Sequence, residues 1–434
     1  MNSSVSRISD SALSSGDRWR GPVIVLVATP GRHLFEGIHD DRVDVITPGP
    51  GKPDPDLIVF SCGNDRHFKN VPAAGISARD RARIAEGAVG LVFDATTEGN
   101  KHKPHTTTEF HDALRDLGAS TRRTVYLTQD RQFAQDYRAY CDSIGFESPV
   151  SVLTHDYWIW YAFSHYERDG EEIFQKRLEA FRARPAKRKR RFVSLNRTAR
   201  DSKILFLLSL LRDGLWDRGF VSFGGFRHPD ERKGEPPRPT PEDLARSLPG
   251  FDDMVTELAP YLDALDARGR VLLGMKQHQW KRLELWNSSL AADLAEYDKS
   301  WFSVATETEM RPRPSRITEK SVKPLANFHP MLVLGNPGSL ALIRSYGFQT
   351  FGDVFDESYD EELDPRRRFD LVYEQVRRLC RMEERDLVSL ERRVADTLIF
   401  NAQWGMTSFP TTYRTQRDVA LVDDILRHCF STVM

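Results

Sequence analysis

Along the first third of the chain, short apolar runs alternate with amphipathic stretches. Val23–Ala28, Leu57–Ser61, Gly90–Asp94, Thr124–Thr128 and Val150–Thr154 read as strands buried on both faces, because each is almost continuously apolar and too short to be a core helix. Between the last three runs the period changes. Thr108–Leu117 sets Phe110, Leu114 and Leu117 one helical face apart, and Arg131–Ile144 does the same with Phe133, Tyr137, Tyr140 and Ile144. Gly118 and Gly145 follow as C-cap residues. Strand and helix in alternation predict a parallel sheet.

A helical stretch over Tyr161–Arg184 leads to Lys187-Arg188-Lys189-Arg190-Arg191 and then to a strand at Arg191–Leu195. A polar loop, Asn196-Arg197-Thr198-Ala199-Arg200-Asp201, separates that strand from the apolar helix Lys203–Arg212. The strand Phe220–Phe223 follows, and His228–Asp243, rich in proline and charge, reads as an exposed loop of poor order. The α/β pattern then returns. Trp301–Thr306 and Met331–Leu334 are strands, Ile317-Thr318-Glu319-Lys320 opens a helix, and Gly335-Asn336-Pro337-Gly338 is a turn into a Ser-capped helix at Ser339–Tyr346. In Arg385–Trp404 the residues Leu387, Leu390, Val394 and Leu398 share a helical face. The expected organisation is a leader over 1–21, an acceptor-side domain over 22–185, a donor-binding domain over 186–384 and helices over 385–434 that pack back on the domains. The expected fold is α/β, with two Rossmann-like domains facing each other across a cleft.

Composition narrows the function classes. Lys and Arg number 62 and Asp and Glu 63 over 434 residues, a net charge of −1, so any phosphate recognition is local and not a property of the whole surface. The four cysteines, Cys62, Cys141, Cys380 and Cys429, form no CxxC pair, which argues against a zinc knuckle or a disulfide framework and for a reducing compartment. No apolar stretch approaches the ~20 residues that cross a bilayer. The polar, Ser-rich start lacks the apolar core of a signal peptide, and the expected location is cytoplasmic.

Three groups of residues could carry chemistry. Arg197, Arg200 and Lys203 lie where a strand gives way to a helix, so forked guanidinium groups and the N-terminal end of the helix dipole can meet a diphosphate there; an exposed basic rim is the bland alternative. Thr306-Glu307-Thr308-Glu309 and Thr318-Glu319-Lys320, with Lys323 beyond, combine a capping Thr, a carboxylate able to accept from ribose hydroxyls and an ammonium able to meet phosphate. The same letters also describe an ordinary capped surface helix. For a general base, Glu98 in the loop after Gly90–Asp94 is the first candidate, with Asp94 and His155 at strand ends as alternatives. Asp54-Pro55-Asp56 has the letters of a metal-binding DxD but precedes a strand, so it reads as a turn, and no metal ligands are assigned. Asp356, Glu357, Asp360, Glu361 and Glu362 match no EF-hand spacing and read as a solvated helix start. His278, Trp280, Trp286 and Trp301 could stack on a sugar, although such residues are more often core.

The stretches FVSLNRTARDSKILFLLSLL, SVATETE and ITEKSVKPLANFHPMLVLGNPGSLALIRSYGFQTFGDVFDESYDEELD resemble the donor half of GT-B glycosyltransferases. They are most similar to the α-1,3-fucosyltransferase family and to glycosyltransferase-like proteins of phage and bacteria. The likeness covers Arg191 to about Asp364. It implies that Glu319 holds the ribose and Lys320 the diphosphate, that Glu307 or Glu309 lies near the donor sugar, and that Arg197 or Arg200 is the phosphate arginine. After Lys320 the chain departs from the family, running Ser-Val-Lys-Pro-Leu-Ala-Asn-Phe-His-Pro, so the donor need not be GDP-fucose.

The expected function is a metal-independent, fucosyltransferase-like transferase that needs no cofactor beyond its nucleotide-sugar substrate. By the family likeness it acts with inversion, on a glycan as in polysaccharide biosynthesis, or on a lipid-linked, protein or nucleic-acid acceptor. Two other classes compete: a nucleic-acid-associated binding protein using Lys187–Arg191, and an inactive transferase-like assembly partner.

Overall fold

The computed structural model describes residues 23–28, 35, 40, 42–49, 51–62, 68, 76–96, 102–164, 166–227, 236–271, 273, 295–310 and 316–430. Glu98, the 1–21 leader, His278, Trp280, Trp286 and residues 228–235 of the proline-rich loop lie outside them.

The chain divides into two compact units. The first takes residues 1–128, 133–155 and 414–434, and the second takes 129–132 and 156–413. In the first, six parallel strands, β1 (Val23–Val27), β2 (Val43–Ile46), β3 (Leu57–Ser61), β4 (Gly90–Asp94), β5 (Thr124–Thr128) and β6 (Ser151–Thr154), run in the order β2-β1-β3-β4-β5-β6. The crossovers include α1 (Ala78–Ala85), α2 (Pro104–Leu117) and α3 (Phe133–Ser143). A capping box between Ser77 and Asp80 starts α1, while Pro104 starts α2 and Gly118, at φ 63°, ends it. β3, β4 and β5 are buried along their whole length, which explains their unbroken apolar sequences.

The second unit has four parallel strands, β7 (Phe192–Asn196), β8 (Gly219–Phe223), β9 (Phe302–Thr306) and β10 (Met331–Leu334), in the order β10-β9-β7-β8. Its helices include α4 (Tyr157–Ser164), α5 (Gly170–Arg182), α6 (Asp201–Arg212), α7 (Pro241–Ser247), α8 (Asp252–Leu258), α9 (Leu262–Ala267), α10 (Glu319–Ala326), α11 (Ser339–Ser345), α12 (Pro365–Arg381), α13 (Glu384–Arg393) and α14 (Ala395–Gln403). Helix α6 is buried continuously from Ser202 to Leu210, as an almost wholly apolar helix must be. Each fully buried Leu or Phe on it contributes about 1.5–3 kcal/mol.

Two boundaries differ from the expected ones. The units divide at His155–Asp156 and not near residue 185, because α5 belongs to the second unit: Phe181 stacks on Phe328 at 4.9 Å, and Gly170 lies against the Met406 carbonyl with no room for a Cβ. The 385–434 tail also splits. Residues up to Tyr413 stay with the second unit, and α15 (Val419–Phe430) belongs to the first. There Asp423 accepts from Arg42 at 2.7 Å, Cys429 fills the space beside Gly90 and its carbonyl accepts from Arg123 at 3.1 Å. Among the described residues no helix is long and apolar enough to cross a membrane.

Candidate functional site

The strand order of the second unit locates a site before any motif is considered. From β7 the chain steps outward to β8, then returns to the other side of β7 to form β9 and β10. The direction of winding therefore reverses between β7 and β9, and in open parallel sheets ligands bind at the carboxyl ends of the two strands that flank such a reversal. Here those ends are Asn196, which leads into Arg197–Arg200 and α6, and Thr306, which leads into Glu307–Glu309.

A buried polar network stiffens this junction. The Asn196 amide donates to Ser194 Oγ at 3.0 Å, and Ser194 Oγ donates to the Val304 carbonyl at 3.0 Å. Asn196 Oδ1 accepts from the Thr306 hydroxyl, and the Asn196 N–H donates to Ser222 Oγ at 2.8 Å. Three strands are thus tied at one end. The sequence placed Thr306 in a candidate group and Asn196 in the loop, whereas Asn196 is the last residue of β7; Ser194 and Ser222 were not singled out, and polar side chains at 194 and 196 next to a buried apolar run were the available signal.

Glu307 is a brace. It is 2% exposed, and three donors hold its carboxylate: the Thr318 N–H on Oε1 at 2.9 Å, Ser321 Oγ on Oε1 at 2.6 Å, and the Thr318 hydroxyl on Oε2 at 2.7 Å. Gly335 lets Glu307 lie close, since a Cβ there would sit 2.9 Å from the Glu307 Cβ. The start of α10 is thereby fixed against the end of β9. Thr318 Oγ1 also accepts from Lys320 Nζ at 3.0 Å, and the same ammonium pairs with Glu319 Oε1 at 3.2 Å. Glu309 is half-buried two residues beyond Glu307, next to residues 311–315, which lie outside the described set.

Around this brace the structure gathers cations. Lys203, on the first turn of α6, is 2% exposed, and Lys323 is 5% exposed. Burial lowers the Lys203 pKa to about 7; the Lys320 ammonium pushes the same way and Arg200 adds to it, while Glu307 and Glu319 oppose them. Lys323 is lowered to about 8 by burial, with Lys320 adding and Glu319 opposing. Burial alone would raise the Glu319 pKa, yet Lys320 and Lys323 drive it down to about 2. Arg200, Lys203, Glu307, Glu319, Lys320 and Lys323 therefore form one electrostatic cluster. Arg197 is exposed on the same loop, three residues from Arg200. Two helix N-termini also open here. Arg200 is the N-cap of α6 and makes no side-chain capping bond, and Thr318 caps α10, so both positive dipole ends add to the field.

Other expected residues fall elsewhere. Asp94 ends β4, where its Oδ1 accepts from the Thr96 N–H at 2.9 Å and hydroxyl at 2.6 Å. His155 is buried, its Nε2 3.2 Å from Asp418 Oδ1. Asp54 pairs with Arg79 at 2.5 Å, and Asp56 accepts from the Ile24 N–H at 2.9 Å, in the turn before β3. Ser339 is not the cap of its helix: Gly338, at φ 75°, makes the turn, and Asp360 Oδ1 and Oδ2 accept from the Leu340 and Ala341 N–H groups at 2.9 and 3.0 Å. That N-terminus holds the protein's own carboxylate, which gives Asp360 of the acidic cluster a structural task. Trp301 is buried, with the Arg188 guanidinium 4.1 Å from its ring centre. Among the described residues, no group of three His, Cys, Asp or Glu side chains could hold a metal ion.

Two Rossmann-like parallel α/β units in series, with the last helix returning to the first, define a GT-B-like fold. No protein family matches the chain, and no curated protein matches it in sequence. Among solved structures it is similar to the α,α-trehalose 6-phosphate synthase of Burkholderia multivorans, at 12% identity and TM-score 0.37, over 86% of this chain and 73% of that one. It is also similar to the N-terminal domain of the Candida albicans trehalose-6-phosphate phosphatase, at 10% identity and TM-score 0.40, over 96% and 99%. Likenesses this loose say nothing about donor, acceptor or residue roles. The resemblance to fucosyltransferases rests on the sequence motifs alone.

Proposed function

We propose that the protein is a glycosyltransferase whose second unit holds a nucleotide-sugar donor by its diphosphate at the carboxyl ends of β7 and β9. The observation that carries this reading is a gathering of cations at one place: Lys203, Lys320 and Lys323, with Arg200 at the exposed rim, stand against Glu307 and Glu319, and burial, with the Lys320 charge added to it, drives Lys203 toward neutrality unless an anion arrives. A diphosphate supplies that anion, and two helix N-termini add N–H donors to it. In this reading Lys320 and Lys203 meet the diphosphate, with Lys323 behind them and Arg197 or Arg200 on its outer side, and Glu319 accepts from the ribose. The Glu307 carboxylate is held by Thr318 and Ser321, and this reading places Glu309 near the sugar.

Transfer then proceeds with inversion. A base removes the acceptor hydroxyl proton, the oxygen attacks the anomeric carbon, and the nucleoside diphosphate leaves with its added charge met by the lysines. The cations of the site do this work, and no metal or cofactor is invoked. Glu98 is the proposed base; Asp94 is second to it because its Oδ1 is already engaged by Thr96.

Calorimetry with UDP, GDP, CMP and dTDP tests the reading. One nucleotide should bind tightly, and Lys320→Ala should weaken its diphosphate far more than its nucleoside; equal losses would remove Lys320 from the phosphate. Once the donor is known, Glu98→Gln should abolish turnover and leave donor affinity intact, and retained transfer would exclude Glu98. No binding by any nucleotide would favour the inactive assembly partner.

A further inference from the structure

The other end of β7 carries a second concentration of positive charge. The run Lys187–Arg191 ends one residue before β7, whereas the diphosphate loop begins one residue after it. Six residues of extended chain from Arg191 to Arg197 put the two roughly 20 Å apart. The run lines a cleft of about 400 Å³ together with Arg218, Asp217 and Glu384. Asp217 faces Arg268 at 3.5 Å.

Arg188 is the exception within the run, and it explains why the rest is well placed. Its side chain turns inward, where Nη2 meets both Glu391 carboxylate oxygens at 2.7 and 2.6 Å, Nη1 donates to the Ser300 carbonyl at 2.7 Å, and the guanidinium lies over Trp301. The backbone is stitched down as well: the Arg190 N–H donates to Lys299 O at 3.1 Å and the Arg191 N–H to Arg218 O at 2.6 Å. Lys187 and Lys189 remain exposed, and Arg190 and Arg191 are half-buried. None of Lys187, Lys189, Arg190, Arg191 and Arg218 takes part in an ion pair among the described residues.

We infer that this cleft binds the phosphodiester backbone of a nucleic acid. A compact terminal phosphate is usually caught by converging backbone N–H groups, but here the N–H groups of Arg190 and Arg191 are spent on carbonyls. What remains is a row of long cationic side chains along one pinned segment, with Arg218 beside it. That arrangement suits anionic groups repeated along a strand, and Arg forks match phosphate oxygens. Pinning by Arg188 means that little chain freedom is lost when the strand docks.

The test is fluorescence anisotropy of the full chain with a labelled DNA duplex of about 20 base pairs across about 50–200 mM salt. Four neutralised phosphates predict a log–log salt slope of about −3 to −4, a fall in affinity of roughly a hundredfold over that range. The triple variant Lys187→Gln/Lys189→Gln/Arg190→Gln should bind at least ~10-fold more weakly with a slope shallower by about 3, while keeping its melting temperature and its nucleoside diphosphate affinity. Lys320→Ala should bind the duplex as the native protein does. A native slope shallower than about −1, a triple variant with native affinity, or an equal loss in Lys320→Ala would overturn the proposal. So would tighter binding of polysialic acid than of DNA at equal charge, which would assign the cleft to an acidic glycan.

Discussion

Replacing Lys203 with Met should make the protein more stable and a poorer ligand binder at once. The side chains have similar length and volume, so packing on α6 changes little. The charge changes a great deal. Lys203 has a pKa of about 7 in the folded chain against an ordinary 10.5, a difference worth roughly 5 kcal/mol at ~1.4 kcal/mol per pH unit. Between pH 7 and 10.5 the unfolded chain holds a proton that the folded one has released, so stability rises with pH across that window and is lowest below pH 7. Met removes the dependence. Since Glu307 and Glu319 lose a favourable neighbour, the expected gain near pH 6 is a few kcal/mol, smaller than the full ~5, and it should vanish above pH 10.

Urea unfolding at several pH values measures this directly. Its counterpart is calorimetry with the nucleoside diphosphate near pH 8, where Lys203 is about nine-tenths neutral in the free protein. An arriving diphosphate favours the charged ammonium, so binding should take up close to one proton, seen as a heat that varies with the ionisation enthalpy of the buffer. The variant should bind more weakly and lose that uptake, keeping only what Lys323, with its pKa of about 8, contributes. A Lys203→Met protein less stable than the native one at every pH, or native diphosphate binding without proton uptake, would refute the assignment of Lys203 to a phosphate site.

The remaining predictions concern the two carboxylates. Glu307→Gln presents an NH2 group to donors that now meet an oxygen, so the folded state should lose about 1–3 kcal/mol and nucleotide affinity should fall with it as the Thr318–Lys320 turn loosens; unchanged thermal melting would show that Glu307 is no brace. Glu319, held at about 2 in the folded chain against an ordinary 4.5, contributes stability that is present above pH 4.5 and drains away as the pH falls toward 2, roughly 3 kcal/mol in all. Glu319→Gln should flatten that acid limb in urea titrations between about pH 5 and 3, and an unaltered limb would contradict the coupling to Lys320 and Lys323.

Most strands were legible because a parallel sheet buried on both faces writes itself as unbroken apolar runs. β2 escaped for the converse reason: Val43-Asp44-Val45-Ile46 is an edge strand with its middle residues exposed, so it needs no such run. Helix α1 escaped because Ala78–Ala85 buries only Asp80 and Ile84 and is started by the Ser77–Asp80 capping box, not by an apolar face. At the site, the cations of the β7 loop could be read as residue types, since like charges before a buried helix are unusual. The task of Glu307 could not, because its partners Thr318 and Ser321 lie 11 and 14 residues away, and only the parallel pairing of β9 with β10 and the space beside Gly335 bring them together.

The same arithmetic of charge connects the resting state to the proposed chemistry. Three buried or half-buried lysines and Arg200 face two carboxylates; burial, with the Lys320 charge added to it, weakens the hold of the folded chain on the Lys203 proton, and its loss relieves part of the surplus. A bound diphosphate relieves it in a different way, so ligand and proton release are alternative discharges of one field. During transfer the leaving diphosphate gains negative charge as the glycosidic bond breaks, so it is held more tightly at the transition state than in the bound donor. Interactions that strengthen in that direction raise the rate of the chemical step as well as the affinity. A site assembled only to bind a sugar would have no reason to crowd ammonium groups inside the protein, where burial and then the Lys320 charge lower the pKa of Lys203 and Lys323.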